Sequence, residues 1–172
     1  MEQTFRPRPP AVWTILVGAV LAAAAASIFA LLEELALAGA ATGIATLALV
    51  VAGWAARQLG DQRVSFLGSL IERAADAAIL GSLAWALLPA RVGVAALVAV
   101  SGSYVAEYVR VKAAGLGFEV RAWRLAWPLS MAVLTVGLMA GAAEAGLWGA
   151  AAISIAAALA RSLEVAGRRE PA

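Results

Sequence analysis

The sequence predicts an all-α integral membrane protein of six transmembrane helices, and three observations point to it. Only 14% of the 172 residues are charged and 63% are hydrophobic, whereas a soluble domain usually carries about a quarter charged residues. The apolar residues fall into successive runs of nearly the ~20 residues that a helix needs to cross a bilayer. Short joints rich in glycine, proline or charge separate these runs, and the basic residues collect at alternate joints.

The elements follow in order. Span one is expected at 11–32. The stretch from Pro9 to Leu32 contains no charge, and it is too long for the apolar core of a signal peptide. The joint "LEEL" at 32–35 ends it. Span two, 36–57, gives way to "RQLGDQR" at 57–63, and span three, 65–88, to "LPAR" at 88–91. Span four, 92–113, runs into "KAAGLGFEVR" at 112–121. Span five, 122–142, meets "GAAEAG" at 141–146, and span six is expected at 145–163. Glycine and proline at these joints are the usual punctuation of helix ends. Residues 1–172 read as one membrane domain without a fixed-period repeat. Abundant alanine reads as close helix packing, because small residues let backbones approach in lipid.

Charge sets the expected orientation. Arg6 and Arg8 precede span one, and Arg57 and Arg63 lie between spans two and three. Arg110, Lys112, Arg121 and Arg124 lie between spans four and five, and Arg161, Arg168 and Arg169 close the chain. With six spans all eleven fall on one side, while Glu33, Glu34, Glu144 and Arg91 fall on the other. Basic loops stay in the cytoplasm, so both termini are predicted to be cytoplasmic, in a multi-pass protein of a bacterial cytoplasmic membrane.

Composition also excludes chemistries. There is no cysteine and no histidine, which removes thiol chemistry, imidazole bases and nitrogen or sulfur metal ligands. A metal here would be a hard cation held by oxygen. Trp13, Trp54, Trp85, Trp123, Trp127 and Trp148 sit mostly near expected span ends, as in an interfacial aromatic belt. Nothing in the sequence points to nucleic acid.

Span three is the exception to the apolar pattern: "GSLIERAADAAIL" at 68–80 places Glu72, Arg73 and Asp76 within it. On a helix Glu72 and Asp76 share a face with Gly68, and roughly with Ser65 and Ser69. Ionisable groups inside a span are costly, and mark either a functional site or a buried pair. Both readings stand on residue chemistry alone, with Glu72, Asp76 or Glu107 as the partner of Arg73.

These segments resemble those of the integral membrane CDP-alcohol phosphotransferases. The family signature is D-x-x-D-G-x-x-A-R, eight residues, then G-x-x-x-D-x-x-x-D, with members often continuing as "LDxxxDRxxDxxxL". "AGWAAR" from Ala52 to Arg57 keeps Gly53, Ala56 and Arg57 of the first half. "LGSLIERAADAAIL" from Leu67 to Leu80 is similar to the continuation, with Glu72 and Arg73 for Asp-Arg and with Asp76 kept. "SYVAEYVRVKAAGLG" from Ser103 to Gly117 resembles the family's "SYxxxYxRAxAExLG", and "AWPLS" at 126–130 falls where many members have "ERPER". The resemblance covers residues 40 to 140. It implies a six-helix bundle, a dimer, and transfer of a phosphatidyl group from a CDP-linked donor to an alcohol with release of CMP, in phospholipid biosynthesis.

The resemblance also implies that four aspartates hold two divalent cations over the donor pyrophosphate, the last acting as base. Here the first two positions are Leu49 and Ala52. Ten residues rather than eight separate Arg57 from Gly68. An ungapped match of the longer line puts the third position at Gly68 and the fourth at Glu72. Taking Gly68 as the motif glycine puts them at Glu72 and Asp76. Either way at least two carboxylates are missing, and Trp127 and Ser130 replace arginines of "ERPER".

The expected protein is therefore a degenerate member, a pseudoenzyme that binds a membrane lipid or a CDP-diacylglycerol-like ligand, as a homodimer or as the partner of an active relative. One alternative is a residual transferase, with Glu72 as catalytic residue and Glu72 and Asp76 on magnesium or manganese; the non-catalytic reading needs no cofactor. A small-molecule carrier is the other. Arg57, Arg110, Lys112, Arg121 and Arg124 are the candidate contacts to phosphate or a lipid head group.

Overall fold

The computed structural model describes residues 9–60, 62–88, 92–120, 123 and 125–167. Six helices form within them: α1 Pro9–Leu31, α2 Leu35–Leu59, α3 Gln62–Leu87, α4 Gly93–Gly115, α5 Ala126–Met139 and α6 Ala143–Ala166. Four of these, α1, α2, α4 and α6, are long and apolar enough to cross a membrane. Helix α3 has the length, at 26 residues, but carries the charged cluster. Helix α5 has 14 residues, shorter than the expected 122–142.

The reason for the short α5 lies at both of its ends. The chain leaves α4 through Gly117 in the left-handed region and then places Trp123 at φ 54°, which a helix cannot accommodate. At the far end Gly141 takes φ 71°, and the N–H of Ala142 donates back to the carbonyl of Gly137 at 2.8 Å. That reversal turns α5 directly into α6.

The other turns are as compact. After α1, Glu33 adopts φ 63° while the Glu34 N–H donates to the Phe29 carbonyl at 2.9 Å, so helix-end carbonyls that lipid could not satisfy are bonded. Gly60 ends α2 in the same left-handed conformation, at no steric cost to glycine.

The helices pack in the order α1, α2, α5, α6, α4, α3 and back to α1, with α2 also touching α3. Hydrophobic collapse does not distinguish helix faces from lipid tails, so close backbone approach has to supply the attraction. Alanine and glycine line the contacts. Helix α5 meets α6 especially closely, where a Cβ added to Gly137 would lie 2.5 Å from the Gly146 Cα. Gly137→Val is expected to cost about 1–3 kcal/mol, read as a fall in the melting temperature in detergent. Gly81→Ala, where an added Cβ meets nothing within 4 Å, should be neutral or mildly stabilising in the same experiment.

This packing gathers the chemistry at one end. Helices α1, α3 and α5 begin, and α2, α4 and α6 finish, in the half of the bundle that holds Arg57, Arg63, Arg110, Lys112 and Arg161. Five of the six tryptophans are exposed on the outside of the bundle. Trp127 is the half-buried exception.

Candidate functional site

Within that half lies a cavity of about 690 Å³, to which all six helices contribute. One wall is carbon: Leu16 from α1, Leu49, Val50 and Ala52 from α2, and Val64 from α3. Another part of the lining is charged. Glu72 and Arg73 come from α3, Glu107 and Arg110 from α4, and Arg161 from α6. The segment between α4 and α5 adds Phe118, Glu119 and Val120 at the rim.

The charged wall rests on a buried network. Asp76 is 1% exposed, yet both of its oxygens are satisfied. Oδ2 accepts from Ser103 Oγ at 2.9 Å and faces Arg73 Nη1 at 2.9 Å, while Oδ1 accepts from Trp127 Nε1 at 2.6 Å. The Arg73 guanidinium also donates to Glu72 and to Ser103 and lies 5.9 Å from the centroid of the Trp127 ring. Tyr104 Oη donates to the Arg73 carbonyl at 3.0 Å. Three helices are thereby tied through polar groups that lipid could not satisfy: α3 by Asp76 and Arg73, α4 by Ser103, α5 by Trp127.

A second cluster sits beside it. Arg110 Nε donates to Glu107 Oε2 at 2.9 Å, and its Nη2 to Oε1, a bidentate pair across one helical turn. Arg161 crosses from α6 to donate to the Ala106 carbonyl at 3.0 Å and the Trp123 carbonyl at 3.3 Å, and its Nη1 lies 3.7 Å from Glu107. Arg161 thus anchors the α4–α5 segment to α4.

The structure brings Leu49, Ala52, Gly53, Arg57, Gly68, Glu72, Arg73 and Arg110 to the one cavity. Ala56 is buried in the core of the bundle, and Asp76 turns away behind Arg73. Lys112 is exposed and does not line the cavity. Arg121 and Arg124 lie outside the described residues, as does the side chain of Ser65. Of the partners open to Arg73 at the sequence level, Glu72 and Asp76 take it, and Glu107 pairs with Arg110 and Arg161 instead.

Ser103, Trp127 and Arg161 had no site role in the reading of residues. As a letter, Trp127 fits the interfacial tryptophans and stands where the resemblance expects an arginine of "ERPER", and Arg161 bears only on orientation. No spacing rule links positions 76, 103 and 127, so the helix packing order was needed to bring them together.

The site does not fit a two-metal centre. Each divalent cation needs several oxygen ligands, and among the described residues no group of three or more His, Cys, Asp or Glu stands together. Glu72 is bonded to Arg73 and Glu107 to Arg110, while Asp76 has its lone pairs filled by Ser103, Trp127 and Arg73. Glu72, Asp76 and Glu107 are thus engaged by guanidiniums of the chain itself.

This six-helix arrangement matches solved structures in fold. The solved structures that share it include three of Mycobacterium tuberculosis phosphatidylinositol phosphate synthase, PgsA1. The apo form superposes with a TM-score of 0.76 at 19% identity, over 89% of this chain and 87% of that one. The complex with manganese and citrate gives 0.77 at 18% identity, over 89% and 80%. The complex with CDP-DAG gives 0.77 at 19% identity, over 96% and 92%. No protein-family model matches the sequence, and no curated protein matches it. At these identities the likeness is one of fold.

Proposed function

We propose that this chain is a non-catalytic protein of the CDP-alcohol phosphotransferase type that holds a phosphate-bearing lipid in its cavity. One observation carries the reading. Leu49, Ala52, Gly68 and Glu72, the positions of the four aspartates in the ungapped match, all line the same cavity, and they include a single carboxylate, which is engaged by Arg73. Asp76, the fourth carboxylate of the gapped match, is absent from the lining, which favours the ungapped register. Phosphoryl transfer depends on positioning and charge compensation, and α2 lacks the carboxylates that would hold a metal for either. The fold shared with a synthase solved with CDP-DAG bound supports lipid access to the cavity.

The test is transfer itself. Purified protein with CDP-diacylglycerol, magnesium or manganese, and inositol phosphate, glycerol phosphate or serine should release no detectable CMP. Metal-dependent CMP release that Glu72→Gln abolishes would overturn the reading and establish a residual transferase with Glu72 at its centre.

The protein spans a bacterial cytoplasmic membrane six times with both termini inside, as a dimer with itself or with an active relative. Support for the orientation comes from the half of the bundle that carries Arg57, Arg63, Arg110, Lys112 and Arg161, opposite the end that holds Glu33, Glu34 and, at the start of α6, Glu144. The chain has no cysteine, so single cysteines report cleanly. Cysteine at Glu33 or Glu144 should react with an impermeant thiol reagent added outside intact cells, and cysteine at Arg63 should not. Labelling at Arg63 from outside would invert the topology.

A further inference from the structure

The cavity has four lining cations among the described residues: Arg57, Arg73, Arg110 and Arg161. Three are committed to carboxylates. Arg73 serves Glu72 and Asp76, Arg110 serves Glu107, and Arg161 faces Glu107 while holding two backbone carbonyls. Arg57 alone makes no hydrogen bond or ion pair among the described residues. It is exposed at the C-terminal end of α2, and its guanidinium lies along the helix over Gly53, where an added Cβ would be 3.6 Å from Nη1. The missing side chain at Gly53 keeps the space beside that guanidinium open.

Among the described residues the lining therefore offers one guanidinium without a carboxylate partner, next to Leu49, Val50 and Ala52. A guanidinium presents a planar fork that matches two oxygens of one phosphate. Among the described lining residues, a second phosphate would meet guanidiniums already engaged, the carboxylates of Glu72, Glu107 and Glu119, a few serine hydroxyls, or carbon. Desolvating a charge without a partner is costly, so the arrangement selects against a second charge as well as for the first. The carbon wall suits the acyl chains of a lipid.

We infer that the cavity binds a phospholipid whose head group carries a single phosphodiester charge, seated on Arg57, and that it discriminates against a pyrophosphate-linked lipid. The inference rests on the lipid-binding reading above and narrows its ligand class.

The experiment measures equilibrium binding of phosphatidylglycerol and of CDP-diacylglycerol to the full chain in detergent, with inorganic phosphate as competitor. Four proteins are compared: unmodified, Arg57→Gln, Arg57→Lys and Gly53→Phe, the last filling the space beside Arg57. Melting temperatures confirm that each is folded. Phosphatidylglycerol should bind about tenfold more tightly than CDP-diacylglycerol, and Arg57→Gln should weaken it about tenfold, as loss of a charged hydrogen-bond pair does. Arg57→Lys should retain most of the affinity, and Gly53→Phe should lose it. Inorganic phosphate should not displace the lipid. Tighter, Arg57-dependent binding of CDP-diacylglycerol would overturn this inference and leave the lipid-binding reading standing. Displacement by inorganic phosphate would overturn the assignment to a lipid. Binding of both lipids indifferent to Arg57→Gln and to Gly53→Phe would place lipid outside the cavity and overturn both.

Discussion

A variant carrying Leu49→Asp, Ala52→Asp, Gly68→Asp and Glu72→Asp is expected to melt well below the unmodified chain without metal and to be rescued by manganese. Leu49 is 6% exposed and Ala52 2% exposed, so the first two changes place two carboxylates on a buried wall where Arg57 can compensate one of them at most. Uncompensated charges of that kind cost several kcal/mol, about 3 or more each. Four carboxylates around one cavity create the oxygen-rich donor set that the native lining lacks, and a hard divalent cation then offsets their repulsion. A metal that binds only the folded form adds about 2.7 kcal/mol at a hundred times its dissociation constant, which appears as a rise in melting temperature. The unmodified chain should show no such rise. A rise in the unmodified chain that Glu72→Gln removes would mean that the native residues already hold a cation.

The second large effect is expected at Asp76. Asp76→Ala should destabilise the bundle by about 3–5 kcal/mol, the usual consequence of breaking a buried charge pair from one side. The loss strands Arg73 with only the half-exposed Glu72 as counter-charge, and leaves Trp127 Nε1 and Ser103 Oγ without their acceptor. Asp76→Asn keeps the shape and one acceptor oxygen, so it should cost less. Glu72→Gln should cost little, about 1 kcal/mol or less, because that side chain is 32% exposed. Thermal unfolding in a single detergent ranks the three. An unchanged melting temperature for Asp76→Ala would show that the network does not hold α3, α4 and α5 together.

The legibility of the site differed from residue to residue. Glu72, Arg73 and Asp76 stood out because ionisable groups inside an apolar run are rare and need a reason. Their pairing was not legible: helical spacing allows Arg73 to reach Glu72 or Asp76, and a neighbouring helix allows Glu107. The absence of carboxylates at 49 and 52 was visible at once, from the resemblance to the D-x-x-D-G-x-x-A-R pattern. That Asp76 turns away from the cavity toward Ser103 and Trp127 required the third dimension. Trp127 shows why. Its position near the start of a helix fits an interfacial aromatic equally well, and only packing of α5 beside α3 and α4 converts it into a donor to a buried carboxylate.

By itself the sequence determined the all-helical class, the order of the helices and the end of the bundle where charge collects. These follow from hydropathy and from basic residues at alternate joints, which are local quantities summed along the chain. Only the tertiary structure decided the length of α5, because turn conformations at Trp123 and Gly141 and the close contact of Gly137 with Gly146 set it. Tertiary structure likewise decided which cations are spent. Arg57, Arg110 and Lys112 are equivalent as letters. Once the helices pack, Glu107 pairs with Arg110, Lys112 stays outside the cavity lining, and Arg57 is left open beside Gly53 among the described residues. A charge is available for a ligand only when no partner of the chain's own reaches it, and that depends on distances between helices, which no position along the sequence encodes.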